Sequence, residues 1–239
     1  MRFILFLLVV GALTLSAGAA YFFFGKSVQD PLVAELFKFK KQVEAVLPDA
    51  EAGGVKAQFA LAELLRTANP AFRDDAKAAT WYRKAAEQGH IEAQFKLGTL
   101  HAAGAGVSQN FHRASEWFQL AAGLGKHAGA QYALGTLYFH GRGVPHSYGQ
   151  AVNWFRRAAA QKHPGAQYIL GLIHKKGWGV DEDPVEAFKW LTLALDDVAA
   201  VKAEDPKFDP VGEREELLLI LNRSQRERAD RLIKEWRRK

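Results

Sequence analysis

One short signature recurs four times along the chain at almost constant spacing, and no other feature limits the possible folds as much. Ala57-Gln58-Phe59, Ala93-Gln94-Phe95, Ala130-Gln131-Tyr132 and Ala166-Gln167-Tyr168 lie 36, 37 and 36 residues apart, and a tryptophan (Trp81, Trp117, Trp154, Trp190) follows each Ala-Gln pair by 24 residues. A period of this size marks a stack of supersecondary units, each too small to bury its apolar face alone. The 239 residues, 49% of them hydrophobic, supply enough apolar surface for a continuous core through such a stack.

Each copy reads as two helices. In the second copy, helix A places Ala93, Leu97, Leu100 and His101 on one face and ends at Gly104. Gly98, Gly135 and Gly171 fall inside helix A, where glycine costs about 1 kcal/mol against alanine. Their recurrence predicts a neighbouring helix too close for a side chain; the first copy has Ala62 there. The turns Gly104-Ala105-Gly106-Val107, Gly141-Arg142-Gly143-Val144 and Gly177-Trp178-Gly179-Val180 supply the left-handed conformation that stops a helix. A capping residue (Asp74, Asn110, Ser147, Asp183) then opens helix B, with Pro184 suited to a first helical position. Helix B carries the tryptophan, a second aromatic and a small-residue stripe such as Ala85-Ala86.

The Ala-Gln-Tyr/Phe opening, Leu-Gly, Gly-x-Gly-Val, Trp-Tyr/Phe and Ala85-Ala86-Glu87-Gln88-Gly89-His90 together resemble the Sel1-like repeat family, relatives of the tetratricopeptide repeats. The resemblance implies an all-α, right-handed α/α solenoid of about four helix-turn-helix repeats with helical caps, divided as 57–92, 93–129, 130–165 and 166–198. Copy one departs from it, with Arg66-Thr67-Ala68-Asn69-Pro70 in place of the glycine turn. His101 and His174 replace a tyrosine usual in the family, which Tyr138 keeps.

Both ends read as caps. Within 30–56, a helix opening at Asp30-Pro31 and running to about Leu47 aligns Leu32, Leu36, Phe39, Val43 and Val46, and resembles the second helix of a worn zeroth repeat. In 199–239, a polar linker at 202–210 precedes helices at about 212–222 and 225–238, the latter opened by a capping box of Ser224 and Glu227. The last 17 residues carry a net +5 of the chain's formal +6, so the basic character belongs to the tail, and no nucleic-acid partner is expected. With Leu232, Ile233 and Trp236 opposite its charges, this last helix reads as a cap with a solvated face, anionic-lipid binding being the rival reading.

Ahead of the repeats, Phe3 to Phe24 contains no charged residue, long enough to cross a bilayer at about 1.5 Å per residue. Residues 1–25 therefore read as a single-pass anchor, preceding the solenoid as a hydrophobic helix, or as an export signal cut after Ala19 or Ala20. Tyr21-Phe22-Phe23-Phe24 favours the anchor. The expected location is the inner membrane with the repeats in the periplasm, or the periplasm itself after cleavage.

Chemistry finds no foothold in the sequence. Without cysteine there is no disulfide framework, thiolate metal site or cysteine nucleophile. His90 and His163 fall at repeat junctions, His101 and His174 in the helix A core register, and no ligand-spaced histidine pair shares a face. The repeated tryptophans are expected to be core. No catalytic set, cofactor or metal is nominated. Some disulfide-rich members of the family are associated with β-lactam hydrolysis, an alternative that the missing cysteines oppose.

The site must then be a surface. The resemblance implies a concave groove lined by the A helices. Outside the repeated core register this leaves Lys96, Thr99 and Ala103, then Ala133, Thr136 and His140, then Ile169, Leu172 and Lys176 as partner-binding candidates. Trp178 joins them because Ala105 and Arg142 hold its turn slot elsewhere; packing under the C-terminal cap is the other reading for it. The expected function is a membrane-tethered or exported scaffold that holds a protein or peptide in bacterial envelope signalling or assembly.

Overall fold

The computed structural model describes residues 31–123 and 126–238. The expected anchor or signal at 1–25 lies outside them, and no helix among the described residues is long and apolar enough to cross a membrane.

The described chain is all α-helix apart from turns. A leading helix α1 (Pro31–Glu51) is followed by four pairs: α2 (Val55–Thr67) with α3 (Asp75–Glu87), α4 (Ile91–Ala103) with α5 (Phe111–Gly123), α6 (Ala128–His140) with α7 (Tyr148–Ala160), and α8 (Pro164–Lys176) with α9 (Pro184–Ala194). A single 3-10 turn (Leu195–Asp197) leads to α10 (Val198–Glu204), α11 (Pro210–Ile220) and α12 (Arg223–Arg237). Each A helix (α2, α4, α6, α8) packs on its own B helix and on the helix just before it, which makes the stack a solenoid.

The turns show why the pattern is so regular. Asp74, Asn110, Ser147 and Asp183 each accept a backbone N–H at the start of their B helix. Gly104, Gly141 and Gly177 close the A helices in the left-handed conformation, at φ 71°, 64° and 68°. The second glycine of each turn also has positive φ, and it lies against the preceding repeat. A Cβ on Gly106 would sit 2.3 Å from the Asp75 carbonyl carbon, and one on Gly143 2.3 Å from that of Phe111. The turn is therefore a contact between repeats as well as a chain reversal.

The helix A glycines face side chains of their own repeat. A Cβ on Gly98, Gly135 or Gly171 would come within 2.6 Å of Phe118, Phe155 or Leu191. Those residues, with Tyr82, follow the repeated tryptophans and are buried. The tryptophans themselves differ from expectation: Trp190 is buried, but Trp81, Trp117 and Trp154 are only half-buried. Successive side chains of an α-helix point in different directions, and both members of the pair, Trp190 and Leu191, are buried only where α12 also covers α9. The second aromatic takes the core, and the tryptophan packs at its margin. Trp117 lies against the core built by α1–α4, and Trp154 against that built by α5 and α6, so each stitches its repeat to the one before.

The caps extend the same geometry with adjustments. Helix α1 passes the expected end at Leu47 and continues through Pro48 to Glu51. Gln58 Nε2 donates to Ala50 O at 3.2 Å, as Gln94 Nε2 does to Ala86 O at 3.1 Å, so α1 ends against α2 as a B helix ends against the next A helix. The irregular turn of copy one rests on α1: Asn69 donates to Glu35 at 2.9 Å, and Phe72 packs on Phe39. At the other end, the expected linker at 202–210 is helical as far as Glu204. The capping box of α12 is made by Asn222 and Gln225 instead of Ser224 and Glu227. Ile233 is buried and Trp236 meets Trp190 edge-on at 4.8 Å, so the apolar side of α12 covers the last repeat.

Candidate interaction surface

Three histidines join the A helices into one surface. His90, His127 and His163 each precede an A helix, and each Nδ1 accepts the N–H of Ala93, Ala130 or Ala166 at 3.1 to 3.3 Å. Each imidazole also stacks on the aromatic residue of the previous A helix, with centroids 4.4 Å apart on Phe59 and Phe95 and 4.7 Å on Tyr132. The sequence reading identified the first and last but missed His127, although its position three residues before Ala130 matches theirs.

Polar contacts continue this seam. His127 Nε2 meets Glu92 at 2.9 Å, and Lys96 Nζ lies 3.7 Å from Glu92 and 3.9 Å from Glu63 of the preceding A helix. Tyr82 Oη donates to Glu63. His163 Nε2 lies 3.7 Å from Glu204. Burial, reinforced by His127, pushes the His163 imidazole down to about 4, and burial raises the Glu204 carboxyl.

The candidates read from sequence divide by environment. Thr99, Ala103, His140 and Lys176 are exposed, whereas Lys96, Ala133, Thr136, Ile169 and Leu172 are half-buried. Lys96 is tied into the acidic seam described above. Thr99 and Thr136 return their hydroxyls to the Phe95 and Tyr132 carbonyls. Ile169 and Leu172 pack along the margin of the C-terminal core. The face therefore changes from charged near Glu63, Glu92 and Lys96 to aliphatic near Ile169 and Leu172.

Trp178 packs back on the third repeat, not under the C-terminal cap. Its ring lies 5.2 Å from Phe139 and 6.5 Å from Tyr148, and it remains half-buried. One repeat earlier, Arg142 covers Phe111 in the same way at 5.7 Å. His101 and His174 are buried in the core, and burial lowers both imidazoles below their usual range. Among the described residues, no three His, Asp or Glu side chains gather as metal ligands would.

A family model described as Sel1 repeat matches residues 55–90, 91–126, 128–163 and 164–197. Among solved structures, a Sel1 repeat protein from Oxalobacter formigenes is 33% identical, with a TM-score of 0.58 over 69% of this chain and 68% of that one. A protective antigen of uropathogenic Escherichia coli strains, displaying an SLR fold, is 29% identical with a TM-score of 0.51. That match covers 80% of this chain but only 47% of the antigen. No curated protein matches the chain.

Proposed function

Since this chain belongs to the Sel1 repeat family, whose repeats generally serve as protein–protein interaction scaffolds, we propose that it holds a protein or peptide partner along its A helices while tethered at the bacterial envelope. One observation carries the binding surface. The buried register of the A helices repeats, but the outward positions 63, 99, 136 and 172 are Glu, Thr, Thr and Leu, and positions 96, 133 and 169 are Lys, Ala and Ile. Part of the change is internal, since Glu63 accepts from Tyr82 and Leu172 borders the C-terminal core, and the exposed remainder suits recognition of an extended partner. That partner would meet charge near Lys96 and Glu63 and aliphatic surface near Ile169 and Leu172. Thr99, Ala103, His140, Lys176 and Trp178 border the same path.

The tether rests on the uncharged run from Phe3 to Phe24, and placement of the repeats in the periplasm rests on its signal-like character. The family is typically non-catalytic, in keeping with a holding role.

The test is crosslinking followed by pull-down from envelope fractions, comparing wild type with Thr136→Arg and Leu172→Arg variants of unchanged melting behaviour. A partner captured by wild type and lost from both variants supports the A-helix surface. Capture of the same partners by all three proteins overturns it. The tether is judged separately, by protease accessibility of the repeats in spheroplasts and by the amino-terminal sequence of the mature protein.

A further inference from the structure

The repeated glutamine of the A helices forms a ladder that ends unfinished. Gln58, Gln94 and Gln131 each donate to a carbonyl of the preceding helix, namely Ala50 O, Ala86 O and Ala122 O, at 3.1 to 3.2 Å. Thirty residues after Gln58 and Gln131, though not after Gln94, a second glutamine completes the amide: Gln88 and Gln161 donate to Gln58 Oε1 and Gln131 Oε1, each at 2.8 Å. Thirty residues after Gln167 stands Asp197, whose side chain has no N–H to give. Gln167 is only 5% exposed, yet its side chain makes no hydrogen bond among the described residues. Its amide nitrogen and oxygen are not sealed from solvent, so both are open to an incoming ligand.

Gln167 opens instead into a cavity of about 220 Å³. The turn before α8 contributes Lys162 and Pro164, the end of α9 and its 3-10 turn contribute Leu193, Asp196 and Asp197, and α12 contributes Trp236 and Arg237. Charge in this wall is divided. Arg237 and Asp196 neutralise each other at 2.7 Å. Asp197 Oδ1 accepts the Ala200 N–H and has no cationic partner, while Lys162 has no anionic one, among the described residues. A carboxylate and an amide carbonyl in one wall suit an ammonium, a separate free lysine suits a carboxylate, and Leu193, Pro164 and Trp236 suit an aliphatic chain. The volume lies below the roughly 300–1,000 Å³ of pockets for drug-sized ligands, so the ligand is small.

We propose that this cavity binds a small aliphatic α-amino acid as its zwitterion, with the ammonium at Gln167 and Asp197 and the carboxylate at Lys162. Because α12 supplies part of the wall, the ligand fastens the C-terminal helix to the last repeat, and occupancy stabilises that end of the solenoid by mass action.

The probes are L-norvaline, its amide, and N-acetyl-L-norvaline, added to the full-length protein and followed by calorimetry and by tryptophan fluorescence, which reports Trp236. Norvaline is expected to bind in the millimolar range. The amide, lacking the carboxylate, should bind about tenfold more weakly and be indifferent to Lys162→Asn, a substitution compatible with φ 63° at that position. The acetylated form should not bind. Asp197→Asn keeps the cap of α10 and removes the charge, and norvaline binding should fall at least tenfold with the ligand-free melt unchanged. No response to norvaline up to ~50 mM, an equal response to all three compounds, or full binding by the Asp197→Asn variant each overturns the proposal.

Discussion

Phe208 lies over Tyr168 with ring centroids 4.6 Å apart, standing where a histidine stands in every earlier repeat. Phe59, Phe95 and Tyr132 are covered by His90, His127 and His163 of the next unit. No fifth repeat follows Tyr168, and the loop before α11 supplies the ring instead. Asp209 N–H adds a hydrogen bond to Tyr168 Oη at 3.2 Å, and Lys175 Nζ ties α8 to Glu213 and Glu216 of α11 at 2.5 Å. The cap thus presents the last A helix with a substitute for the neighbour it lacks.

Phe208→Ala should loosen this end first. The ring is half-buried, so about 2 kcal/mol is expected, below the 3–5 kcal/mol of a fully buried phenylalanine. Hydrogen exchange should accelerate in α10 to α12 and leave α2 to α5 unchanged. Acceleration along the whole chain would refute a local cap.

Two glycine substitutions should act with opposite sign. Gly135→Ala gains helix propensity but drives a methyl group to 2.6 Å from Phe155, and overpacking of this kind outweighs the gain, for a net loss of about 1–2 kcal/mol. Gly149→Ala, in the first turn of α7, meets nothing within 4 Å and should gain up to about 1 kcal/mol. Urea denaturation of the two variants measures both.

The adjacent pair Trp154 and Phe155 should separate core from margin. Phe155→Ala empties a site that is 1% exposed and should cost about 3–5 kcal/mol. Trp154 is half-buried, with Arg157 over its ring at 4.6 Å, and Trp154→Ala should cost about half as much. If the tryptophan proved the costlier of the two, the division of roles described above would fail.

Acid should weaken the third repeat junction. The folded value of His163, about 4, lies below the usual 6.5, so between these values the unfolded chain binds more protons and stability rises with pH. This contribution is complete above about pH 6.5, is lost as pH falls towards 4, and amounts to at most about 3 kcal/mol. His101 and His174 act in the same direction, while the raised carboxyl of Glu204 acts oppositely over the carboxylate range. Stability measured from about pH 7 to about 5.5 should decline in wild type and decline less in His163→Asn, which keeps a capping side chain.

The repeated parts of the fold were legible because their causes are local. A capping side chain acts three residues away, and Gly104 stops its helix in place. Even Gly98 betrayed a distant ring, because its cost inside a helix recurred. The sequence could not choose between the overlapping boxes Asn222/Gln225 and Ser224/Glu227, which differ only by where α11 delivers the chain. Nor could it show which member of Trp154-Phe155 faces inward, since period alone marks both. The roles of Phe208 and Asp197 escaped for another reason: each departs from the repeat, and the departure has meaning only when the neighbouring repeats are laid beside it.

The second glycine of each turn has a consequence for how the molecule is made. Gly106 rests on Asp75, and Gly143 on Phe111, so a repeat is completed by the one that follows it. A chain emerging amino-terminus first, from a ribosome or a translocation pore, can settle each unit with only one more period of sequence in hand. The last unit has no successor to wait for, and synthesis has only to reach Phe208 and the helices after it before the final repeat is closed.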